Sequence, residues 1–113
     1  MTDYLDALSD FAATTNYEDL SADAINAARE VVLDTVGAIV AGYSLPENAS
    51  LAKLAAARSA PQTSTILGTG LNAEPMWATL ANGTAGVGLE MDEGNRYGGG
   101  HPSIHVMPAA LAV

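Results

Sequence analysis

The sequence predicts an all-α fold of about five helices with one short strand-like connection, and three observations lead there. Hydrophobic residues make up 49% of the chain yet include one Phe and one Trp, so the core must come from Ala, Leu, Val and Ile, a palette that suits helices better than sheets. Apolar residues recur at helical spacing through most of the chain. Capping residues and prolines fall where such helices would begin and end.

The first helix is expected to start at Thr2 as N-cap, with Leu5, Leu8 and Phe11 on one side and Asp3, Asp6 and Asp10 on the other. "NYEDLS" breaks the pattern. Ser21 then caps a longer helix with Asp23 in its first turn, where the helix dipole favours an acid. Its apolar stripe is Ile25, Ala28, Val32, Val36 and Ile39, and Gly42 is its stop. "SLPENASLAKLAAARSAP" reads as a third helix, with Pro46 in the first turn, Leu51, Leu54 and Ala55 facing inward, and Pro61 beyond its end. "TSTILGTG" is short and β-branched, the one strand-like piece. Asn72 is expected to cap a fourth helix, "AEPMWATLANGTAGVGLEM", with Pro75 in its first turn. The small residues Ala78, Ala81, Gly83, Ala85, Gly86 and Gly88 would let another helix approach closely. Pro102 opens a fifth helix, "PSIHVMPAALAV". It runs to Val113 with no cap or polar turn, so the chain is expected to be cut there.

Charge narrows the function. Thirteen acids against four bases give a formal charge of −9, and eight of those acids precede residue 35, where Arg29 is the only base. Such a chain repels phosphate backbones, which excludes nucleic-acid binding. One Lys beside so many acids also suits a salt-adapted cytoplasm, a hypothesis that predicts more helix in molar salt. Without cysteine there are no disulfides and no thiolate–metal chemistry. The acidic "MTDYLDALSD" is no signal peptide, and the apolar run from Val31 to Val40 is too short and too broken by Asp34, Thr35 and Gly37 to span a bilayer. The expectation is a soluble cytoplasmic protein with no membrane partner.

Three features invite chemistry. "GTGLNA", Gly68 to Ala73, matches a dinucleotide-binding fingerprint, with Glu90 about twenty residues on. But helices precede it instead of a strand opening a βαβ unit, so it reads as a turn. His101 and His105 are four apart and, with Asp92 or Glu93, could share a zinc ion. Pro102, however, stands where the zincin pattern needs Glu. The third feature is "GLEMDEGNRYGGGHPSIH", Gly88 to His105, with three carboxylates, both histidines and three consecutive glycines. The glycines place His101 at a helix N-terminus, where free N–H groups and Arg96 could receive a carboxylate while His101 moves a proton. The alternative is a solvated acidic loop without chemistry.

"ANGTAGVGLEMDEGNRYGGGHPSIHVMPAALA", Ala81 to Ala112, closely resembles the signature of the MmgE/PrpD family, which includes 2-methylcitrate dehydratase, cis-aconitate decarboxylase and iminodisuccinate epimerase. "VVLDTVGAIVAG" and "TSTILGTG" are similar to its earlier segments. The resemblance implies that residues 1–113 are a partial N-terminal piece of a larger helical domain. Full-length members carry a second, lid-like domain and are typically homodimers. They need no metal or iron–sulfur cofactor and act on small di- and tricarboxylates by proton abstraction with loss of water, or by decarboxylation. The most similar activity is that of 2-methylcitrate dehydratase, in propionate metabolism. By the same resemblance His101, Asp92 and Glu90 are catalytic candidates, with Glu93 completing the acidic cluster; Asn95 and Arg96 are candidates for substrate contact on their own residue types. Glu90 stands where many relatives show Asp, and Gly94 where many place Thr, a departure that bears on the substrate. Relatives supply lysines and a further histidine from later in the chain. Two other readings stand beside this one. One is a non-catalytic helical module completed by a separate chain; the other is a small metal-binding protein using His101 and His105.

Overall fold

The computed structural model describes residues 3–113. It contains five helices: α1 (Tyr4–Thr14), α2 (Ala22–Gly42), α3 (Pro46–Arg58), α4 (Pro75–Val87) and α5 (Pro102–Ala110). A two-stranded antiparallel hairpin, β1 (Ser64–Ile66) with β2 (Leu71–Ala73), lies between α3 and α4. The all-α expectation holds, and the strand-like connection is a hairpin. None of the described helices is long and apolar enough to cross a membrane.

Thr2, expected as the first cap, lies outside the described residues. Asp3 holds the cap position, its carboxylate accepting from the Leu5 N–H. Ser21 caps α2 through the Ala24 N–H, as its position predicts. Pro46 opens α3 and Pro75 opens α4, each as the first helical residue, where a missing N–H costs nothing.

Asn72 does not cap α4. It pairs with Thr65 in the hairpin, whose register also matches Ser64 with Ala73 and Ile66 with Leu71. Gly68 and Gly70, both with positive φ, turn the chain between the strands. The "GTGLNA" match is therefore a hairpin turn and its second strand, and it does not open a helix.

Helix α4 is the centre of the molecule and packs against α2, α3, α5 and the hairpin. Ala78, Ala81, Ala85 and Gly86 are buried along it, which is what their small size makes possible. Gly42 of α2 lies against the α4 backbone, and a Cβ there would overlap the Ala85 carbonyl. Gly86 meets both Ile104 and Ile39, so a side chain there would collide with α5 and α2 together. Gly42 thus ends α2 as expected, but its second role is to let two backbones touch.

The buried face of α2 is Thr35, Ala38, Ile39 and Gly42, with Val32 and Val36 half-buried at its side. The predicted stripe is correct at Ile39 and too long toward the N-terminus, since Ala28 is exposed. On α3 the inward residues are Asn48, Ala52 and Ala55, while Leu54 is exposed. The i, i+4, i+7 spacing of those three defines a narrow face that brings α3 close to α4.

Asn82 ties the layers together and is almost fully buried. Its Oδ1 accepts from the Leu67 N–H and the Tyr43 hydroxyl, both at 3.0 Å, and its Nδ2 donates to the Thr65 carbonyl at 3.0 Å. One side chain thus satisfies the open edge of β1 and joins it to α2 through Tyr43. Burial pushes the Tyr43 hydroxyl up to about 12.

Candidate active site

Helix α4 stops at Val87, four residues before the expected end at Met91. Glu90 has a positive φ of 52°, a left-handed conformation uncommon for a residue with a side chain, and it turns the chain out of the helix. Residues 88–101 then form an irregular connection to α5. The acidic cluster therefore sits on a loop rather than on a helix face, with Glu90 exposed and Asp92 and Glu93 half-buried at the root.

Within the loop, Asn95 makes a local turn. Its Oδ1 accepts from the Tyr97 and Gly98 N–H groups at 2.9 Å, while its N–H donates to the Gly100 carbonyl. Arg96 and Tyr97 are exposed between these bonds, at the tip of the turn. Gly99 and Gly100, at φ 69° and 95°, bring the chain back to His101, a conformation that a side chain would resist.

His101 and Asp92 meet at the base of the loop. The His101 Nδ1 lies 3.2 Å from Asp92 Oδ2 and 3.3 Å from the Asp92 carbonyl oxygen. Both neighbours are acceptors when the carboxylate is ionised, so Nδ1 carries the proton and donates. The lone pair of the neutral ring then belongs to Nε2, on a side chain that is 46% exposed. The Asp92 side chain is 2% exposed, and among the described residues its Oδ2 makes no hydrogen bond, standing only within ion-pair distance of this ring. The bond to the Asp92 carbonyl fixes which ring nitrogen donates, and the buried carboxylate lies beside that same atom. The arrangement suits a proton acceptor held at the surface of the domain.

The start of α5 differs from the expectation that its N–H groups stand open to a substrate. Pro102 has no N–H, and the Ser103 N–H is already taken by Glu93 Oε2 at 3.1 Å. His101 occupies the cap position without capping. Ser103, which sequence reasoning passed over, is buried, and its hydroxyl finds no partner among the described residues. The visible signal was the order His-Pro-Ser, which puts a proline first and a serine second in a helix.

His105 lies one turn further along α5, exposed, and lines a groove of about 370 Å³ between α4 and α5 together with Leu80, Val87 and Pro108. That groove includes neither His101 nor Asp92. Among the described residues no three or more His, Asp or Glu side chains are grouped as a metal ion would need. The zinc reading of His101 and His105 therefore has no ligand set here. Arg96 forms no ion pair among the described residues, where the one ion pair is His101–Asp92.

The fold and this loop define a helical domain that presents a carboxylate-held histidine after a glycine turn. A model of the MmgE/PrpD N-terminal domain matches residues 6–113, and the chain belongs to that family. Among curated proteins and solved structures, none matches the chain.

Proposed function

We propose that this domain contributes the acid–base part of a lyase site, most similar in activity to 2-methylcitrate dehydratase, that removes a proton beside a carboxylate of a small di- or tricarboxylate and releases water. The observation that carries the reading is the pairing of His101 Nδ1 with the buried Asp92 carboxylate. It leaves Nε2 as the acceptor for the substrate proton. Asp92 holds the ring and offsets the positive charge that the ring gains. Arg96, at the exposed tip of the turn, is the candidate for the substrate carboxylate, and Asn95 shapes the turn that carries it. Glu90 remains a candidate for orienting the loop.

Glu90, Asp92 and Glu93 share the loop with one cation, Arg96. Such a balance repels a tricarboxylate unless further cations approach from outside these residues. Residues 1–113 by themselves are therefore expected not to dehydrate 2-methylcitrate. The test uses the native protein that carries this domain, following appearance of the unsaturated product. Replacing His101 by Gln should lower the rate by about 10²- to 10⁴-fold, the usual contribution of a positioned base. Undiminished turnover by the variant, or robust turnover by residues 1–113 alone, would contradict the reading.

A second reading is favoured by one observation: α1 buries none of its residues and exposes Tyr4, Leu5, Leu8 and Phe11. In that reading the domain is a non-catalytic module completed by another helical chain, and α1 covers itself on that partner. Stable co-purification with a second chain supports it, whereas a well-folded, monodisperse monomer counts against it.

A further inference from the structure

His101 stands at the N-terminal cap of α5, yet its ring turns away from the helix to Asp92. A helix start whose cap residue makes no capping bond leaves its first N–H groups without partners. Here the duty passes to Glu93, ten positions before Ser103, whose N–H its Oε2 receives at 3.1 Å. A carboxylate at that place is favoured twice, by the hydrogen bond and by the positive end of the helix dipole. Asp92 and Glu93 are consecutive, and they hold His101 and Ser103 respectively. They form two rungs across a loop that contains Gly94, Gly98, Gly99 and Gly100 and that would otherwise be free to move its ends.

We propose that Glu93 is a positioning residue for His101: by capping α5 in place of the histidine, it fixes the His-Pro-Ser turn and leaves the imidazole free to pair with Asp92. The proposal rests on the acid–base reading of His101 but does not need the substrate to be known. It also assigns the Ser103 N–H, the first that α5 offers, to the chain's own carboxylate.

The experiment is ¹⁵N NMR of the His101 imidazole and hydrogen exchange at the Ser103 amide, in wild type, Glu93→Gln and Glu93→Met. Glutamine keeps an acceptor oxygen at the same reach; methionine keeps the length and removes the acceptor. Wild type and Glu93→Gln should show a distinct Nδ1–H tautomer and a protected Ser103 amide. In Glu93→Met the two ring nitrogens should move toward averaged shifts, and Ser103 should exchange at least about tenfold faster while the amides of α4 stay protected. A purely structural role would lower the melting temperature and leave the His101 shifts in place. That result, or equal loss in the Gln and Met variants, overturns the proposal. Failure of the lyase reading would appear separately, as absent dehydration in a protein whose Glu93 and His101 behave as described.

Discussion

Asn82 shows how much one polar side chain holds at the residue scale. It sits in the "NGTA" run, and three of its possible hydrogen bonds are made inside the protein, to Leu67, Thr65 and Tyr43. Alanine there leaves a buried N–H, a carbonyl and a phenol to find other partners, each at about 1–3 kcal/mol when none is found. Asn82→Ala should therefore lower unfolding free energy by about 3 kcal/mol in urea denaturation, with the hairpin amides exchanging first. A loss below about 0.5 kcal/mol would show that water replaces these bonds. The sequence marked this motif through resemblance, but nothing in residue type or spacing said that the asparagine faces a strand edge. The same holds for His101 and Asp92. Their residue types and their place beside a glycine turn were legible, while the bond between them was not, because loop closure depends on backbone torsions at Gly99 and Gly100.

At the scale of elements, α2 and α4 meet backbone to backbone at Gly42 and Ala85. Gly42→Ala adds one methyl group where the Ala85 carbonyl already lies, so the helices must separate. Overpacking of this kind costs about 1–3 kcal/mol. A calorimetric scan should show a lower melting temperature for that variant, whereas Gly37→Ala, which meets nothing within 4 Å, should be neutral or stabilising. Equal effects at the two positions would refute the close-approach account. Helix identity was readable from periodicity because five separate segments carry caps or prolines at their starts. Their ends were less readable. Asn72 has a good cap's chemistry, yet pairing with Thr65 takes it into the hairpin. Similarly, the small residues of α4 continue past Val87, and only the left-handed turn at Glu90 shows where the helix has stopped.

Over the whole molecule, packing and charge are unevenly spread. The buried residues cluster where α4 meets α2, α3, α5 and the hairpin, whereas α1 contributes none. The same N-terminal part carries most of the excess acid, so self-repulsion is concentrated where burial is weakest. Molar salt screens such repulsion to within about 3 Å. The helical circular dichroism signal and the melting temperature should both rise between low and molar salt; salt-independent folding would remove the hypothesis of a salt-adapted protein. Charge was fully legible in the sequence. The exposure of α1 was not, because Leu5, Leu8 and Phe11 form the same apolar stripe whether or not anything covers it.

All three scales converge on the loop between α4 and α5, where the packed core presents His101 against Asp92. The most direct measurement is the rate of 2-methylcitrate dehydration by the native protein with Asp92→Asn, with His101→Gln and with both changes. If the pair acts as one unit, each single change should remove most of the activity and the double change should cost little more than the worse single one. Independent, multiplying losses, or an Asp92→Asn variant with wild-type turnover, would contradict the claim that the buried carboxylate holds the histidine for proton transfer.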